Sequence, residues 1–91
     1  MSIYKYKYKI LLPENLSHEE RIDRQSDESY ELSIISIKSL FNSKSDDGFY
    51  YNCKRDGVTL LIESNSPSDL FDKKIKMEAE YYDLVAKKIN I

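Results

Sequence analysis

The sequence predicts an α+β fold: a four-stranded, mostly antiparallel sheet with a long C-terminal helix on one face and a short helix besides. Three observations predict it. Residues 3–12 alternate apolar or aromatic side chains with lysine, an Asp-Gly pair separates two alternating runs at 49–63, and a long amphipathic stretch follows Ser66-Pro67. A sheet with one apolar face needs a helix to cover it, which sets the two-layer architecture.

In residues 3–12, Tyr4, Tyr6, Tyr8, Ile10 and Leu12 fall on one face and Lys5, Lys7 and Lys9 on the other, the period of a strand. Pro13 has no N–H for a ladder and ends it. Ser17 followed by Glu20 is a capping-box pattern, with Leu16 and Ile22 placed to staple the first turn, so a short helix is expected over about 17–25. Residues 30–41 fit two templates. Tyr30, Ile34, Ile37 and Phe41 have helical spacing, whereas Tyr30, Leu32 and Ile34 followed by Ile35 and Ile37 fit a strand with one bulge. Three isoleucines among serines favour the strand, because β-branched residues suit a pleat and serine is a poor helix interior.

Asn42 to Gly48 has the composition of a turn. Strands at 49–54 and 58–63 then flank Arg55-Asp56-Gly57; a turn centred on Asp56-Gly57 pairs Cys53 with Leu60, Tyr51 with Ile62 and Lys54 with Thr59. Serine as N-cap and proline at the first helical position start the last element, expected over about 67–89. Its apolar arc gathers Leu70, Phe71, Ile75, Met77, Tyr81, Tyr82, Leu84, Val85 and Ile89, and Asp69/Lys73, Asp72/Lys76, Lys76/Glu80 and Asp83/Lys87 stand at i,i+4 spacing on the exposed side.

The 91 residues read as one small domain. Hydrophobic residues at 41% and charged residues at 33% belong to a chain that collapses and stays soluble. A single cysteine leaves no intramolecular disulfide, the N-terminal run has no signal-peptide h-region, and no apolar run approaches the ~20 residues of a membrane span, so a cytoplasmic protein is expected. Abundant Lys, Ile, Tyr and Ser beside scarce Ala, Gly and Val resemble the residue usage of an AT-rich genome, and a phage or mobile element is one source of that kind.

No catalytic constellation is visible. His18 stands in a charged surface segment, Cys53 is expected on the core face of the hairpin, and one His with one distant Cys matches no zinc pattern. Asp46-Asp47-Gly48 lacks the remaining ligands of a calcium loop, and two turn glycines cannot build a phosphate cradle, so neither catalysis, metal nor cofactor is expected.

Charge is unevenly placed. Residues 1–13 sum to +3 and residues 14–31 to −5, while the rest cancels to give the chain's −2. The expectation is therefore a non-enzymatic interaction protein, an inhibitor or accessory subunit that docks a cationic partner protein through Glu19, Glu20, Asp23, Asp27, Glu28 and Glu31. Tyr81, Tyr82, Leu84 and Val85 are candidates for self-association into a homodimer. The alternative is a nucleic-acid-binding module using Lys5, Lys7 and Lys9, although the period of two sets these lysines opposite the tyrosines that would stack bases.

Overall fold

The computed structural model describes residues 2–42 and 47–90. Four strands, β1 (Tyr4–Leu11), β2 (Tyr51–Asp56), β3 (Thr59–Ser64) and β4 (Val85–Ile89), form one antiparallel sheet in the order β2-β3-β1-β4. Three helices, α1 (His18–Ser26), α2 (Glu28–Leu40) and α3 (Ser68–Tyr81), complete it. The predicted α+β class with four antiparallel strands therefore holds. Antiparallel pairing throughout makes β1 parallel to β2 with β3 between them, and β3 parallel to β4 with β1 between them. This is the β-α-β-β-α-β succession of a split βαβ fold with an extra helix, α1, in the first crossover.

Two elements differ from the sequence expectation. Residues 30–41, expected as a strand, lie almost wholly in α2, and the fourth strand is supplied by residues 85–89, expected as the end of the long helix. In α2 the serines do not compete with the helix, because Ser33 and Ser36 donate back to the carbonyls of Ser29 and Leu32 at 2.7 and 2.9 Å. Asp27 caps the start by accepting from Ser29 N at 2.9 Å, and Ile34, Ile37 and Phe41 enter the core at helical spacing. Leu32 and Ile35, which complete the strand pattern, stay exposed at 58% and 41%.

The last helix stops at Tyr81 through a Schellman motif. Asp83 takes φ +60°, its N–H donates to Glu80 O, and the Leu84 N–H donates to Ala79 O, both at 2.9 Å. Leu84 is thereby turned into the core. At the other end the helix is capped by Pro67 without a side-chain bond, so the expected Ser66 N-cap is not made; Ser66 is buried and its carbonyl accepts from Tyr6. Of the four expected i,i+4 ion pairs, only Asp72–Lys76 closes, at 2.9 Å.

The hairpin turns on Gly57-Val58, one residue later than expected, so Cys53 pairs with Ile62 and Lys54 with Leu61. A register slip of two residues preserves the faces, so Tyr51, Cys53, Leu60 and Ile62 still share one buried side. Gly57 takes φ +61° at the first central position, the sign a type II′ turn requires. The turn expected at 42–48 falls in part on residues outside those described.

Both crossover helices cover one sheet face. Tyr6, Tyr8, Ile10, Tyr51, Cys53, Leu60, Ile62 and Ala86 from the sheet meet Ile34 and Ile37 of α2 and Phe71, Ile75 and Ala79 of α3 in a single core. Phe71 is its centre, stacked on Tyr6 at 4.5 Å and tilted against Tyr8, Phe41 and Tyr51. The capping box of α1 forms as expected, but α1 contributes no buried residue; Leu16 reaches the core while Ile22 stays 49% exposed, without the staple.

Candidate functional site

Among the described residues, no helix covers the second face of the sheet. Residues opposite one another in an antiparallel ladder share a face, so the observed registers list its occupants row by row. They are Asn52, Glu63 and Lys5; Lys54, Leu61, Lys7 and Ile89; Asp56, Thr59, Lys9 and Lys87; and Leu11 with Val85. β1 lies in the middle of the sheet with a neighbour on each side, so its lysines form the central column of an open surface. Lys54 and Lys87 join them from the two edge strands. Five lysines against two acids give this face +3, which leaves the remainder of a chain of net charge −2 at −5.

Among the described residues, none of the five lysines has a carboxylate within 4 Å or a side-chain hydrogen bond; the ion pairs that form are Arg24–Asp83, Arg55–Glu31, Lys74–Asp47 and Lys76–Asp72. Glu63 stands across from Lys5 and Asp56 lies on β2, so the acids sit on the β2–β3 side and the cationic excess is greatest over Lys7, Lys9 and Lys87. Two shallow depressions of ≈ 240 and ≈ 230 Å³ on this face share Lys5; Leu61 and Val85 add exposed apolar surface. Its strand residues include no aromatic ring. Tyr4, Tyr6, Tyr8 and Tyr51 all lie on the helix side.

The predicted acidic set is spread over two helices and partly engaged. Glu20 completes the capping box of α1, Asp27 caps α2, and Glu31 meets Arg55 at 3.0 Å. Glu19 and Asp23 on α1 and Glu28 at the start of α2 remain without a partner among the described residues. The predicted self-association set is divided too. Tyr81 is 80% exposed and stacks edge-on against Tyr82, Tyr82 packs on the core, Leu84 is buried, and Val85 belongs to the open sheet face. Leu84 is therefore removed from any contact surface by the turn that ends α3.

The groups considered for catalysis are dispersed. Cys53 is buried, and desolvation pushes its thiol up to about 11, so it stays protonated at neutral pH. His18 is exposed at the first position of α1, and no group of three His, Cys, Asp or Glu side chains among the described residues is placed to hold a metal ion. No helix of the described residues is long and apolar enough to cross a membrane. Lys54 was legible as a polar-face residue of the hairpin, whereas Lys87 was hidden by the helical reading of 85–89. Comparison with family models, with curated proteins and with solved structures found no match.

Proposed function

We propose that this protein works by binding rather than by catalysis, and that it offers the open face of its sheet to an anionic macromolecule. The observation that carries the reading is the gathering of Lys5, Lys7, Lys9, Lys54 and Lys87 on one uncovered surface, free of ion pairs among the described residues, in a chain that is acidic overall. Charge separated in this way orients the molecule, because an anionic partner is drawn to one face and repelled by the rest. The test is retention on a heparin matrix at low salt, compared with the triple variant Lys5→Gln, Lys7→Gln, Lys9→Gln. Glutamine is preferred to glutamate because Lys5 lies opposite Glu63, where a second acid would repel. Early elution of a variant with unchanged circular dichroism supports the reading; equal retention sinks it.

A second reading is favoured by α1, which buries nothing yet displays Ile22 between Glu19 and Asp23. An inhibitor or accessory subunit docking a cationic protein, of phage or mobile-element origin, would use these residues with Glu28. Reversal of Glu19, Asp23 and Glu28 to lysine then removes a partner captured by the unaltered protein. If the same partner is still captured, the acidic docking idea fails.

A further inference from the structure

Resting on the cationic-face reading, we infer that the occupant of the open face is the phosphate backbone of a nucleic-acid duplex, gripped without regard to base sequence. Charge density, and the chemistry the face lacks, both favour a duplex. Lys5, Lys7 and Lys9 recur at about 6.8 Å along β1, and three interstrand steps from β2 to β4 span roughly 14 Å, so the patch measures about 14 Å each way. Over about 14 Å of axis a duplex presents roughly eight phosphate charges, at one per ~1.7 Å. A single strand presents fewer, and sheet surfaces that prefer single strands compensate with aromatic rings on which bases stack. No ring stands on the paired rows of the open face; the exposed ring of Tyr50 lies just before β2, beyond the Asn52 row and away from Lys7, Lys9 and Lys87, so a single strand lying over those lysines has no stacking contact beside them.

Sequence reading is equally unprovided for. Asn52 and Thr59 are the only uncharged hydrogen-bonding side chains on the paired rows, and the cations are lysines, point charges without the bidentate fork of arginine. The acids sharpen the placement. Glu63 and Asp56 oppose a phosphate over β2 and β3, so the backbone lies over β1 and β4, where Lys7, Lys9 and Lys87 cluster; beyond them Leu11 and Val85 border a depression that Glu14 also lines, which holds the backbone to the lysine rows.

The experiment measures anisotropy of labelled 20-base-pair duplexes of two unrelated sequences, a 20-nucleotide single strand and labelled polyglutamate, between 50 and 200 mM salt, as on the order of 20 units covers the patch in each case. Both duplexes should bind alike within about twofold and more tightly than the single strand, with log K falling against log salt at a slope between about −2.7 and −4.5, as three to five phosphate contacts require. Lys9→Gln and Lys87→Gln should each flatten the slope by about 0.9, and Lys54→Gln by less. A tighter single strand, or a strong preference between the two duplexes, overturns the duplex inference while the cationic-face reading survives. Polyglutamate binding more tightly than either duplex overturns it in favour of an acidic protein partner. If none of the polyanions binds at 50 mM salt, the cationic-face reading itself falls.

Discussion

Tyr6, Tyr8, Tyr30 and Tyr51 carry their hydroxyls into or beside the core, and each donates at 2.6 to 2.7 Å: to Ser66 O, Asp72 Oδ1, Ile10 O and Asp47 Oδ2. No buried side-chain polar atom among the described residues lacks a partner. The Tyr8–Asp72 bond has a pH signature. The donated hydrogen bond is the main cause that lowers the Asp72 carboxyl, with Lys76 assisting, so the carboxylate stabilises the fold above its unfolded value near pH 4 and that contribution is lost as pH falls through the lowered one. Tyr8→Phe should therefore cost about 1–2 kcal/mol near neutrality, and the gap from the unaltered protein in urea titrations should shrink under acid. Burial raises the phenols of all four, so stability should begin to fail above about pH 10, where the unfolded tyrosines ionise. Cys53 gives a second residue-level test. With its thiol buried and pushed up to about 11, alkylation at pH 8 should be slow in the folded protein and fast in urea.

At the scale of elements, the core of α2 separates its two sequence readings. Ile34→Ala should cost about 2–5 kcal/mol by leaving a cavity under the helix, whereas Leu32→Ala should change stability by no more than about 0.5 kcal/mol. A strand with Leu32 facing the core would make both substitutions costly, so chemical denaturation of the pair decides. The end of α3 is the other informative element. Asp83 occupies the left-handed position that glycine fills at lowest cost, and its ion pair with Arg24 is long, at 3.6 Å, and exposed. Asp83→Gly should raise stability by about 0.5–1 kcal/mol, since the Arg24 bond to the Asp83 carbonyl at 3.3 Å does not need the side chain. A loss on this substitution would mean that the carboxylate contributes more than its exposure suggests.

Taken as a whole, the molecule is elongated, 47 × 21 × 21 Å, with two sheet edges that could recruit another strand. The β2 edge is partly occupied, because Asn42 Oδ1 accepts the Cys53 N–H at 3.1 Å. The β4 edge is only five residues long and carries Lys87 and Lys88, and charge on a short edge opposes pairing with a second copy. Lys87→Val would align Val85, the new valine and Ile89 on the open face at an uncovered edge. Sedimentation velocity should then show concentration-dependent association that the unaltered protein lacks; no change would mean that Lys87 does not guard this edge.

The sequence by itself determined what depends on local periodicity and turn chemistry. The Tyr/Lys alternation of β1, the hairpin faces, the capping box of α1 and the lysines facing solvent could all be read there, because each rests on neighbours within a few residues. Three features were decided by tertiary structure. Residues 30–41 satisfy both a helical and a strand template, and the choice falls to whichever apolar set the core accepts; Ile34, Ile37 and Phe41 are buried and Leu32 is not. Residues 85–89 continue a helical pattern on paper, yet β1 has a free edge that gains a full ladder from them, and a left-handed Asp83 turns the chain into it. The central place of β1 follows from pairings made across 50 or more residues, which no local window contains. That placement brings Lys54 and Lys87 beside Lys5, Lys7 and Lys9, so the lysines were visible in the sequence but their assembly into one surface required the fold.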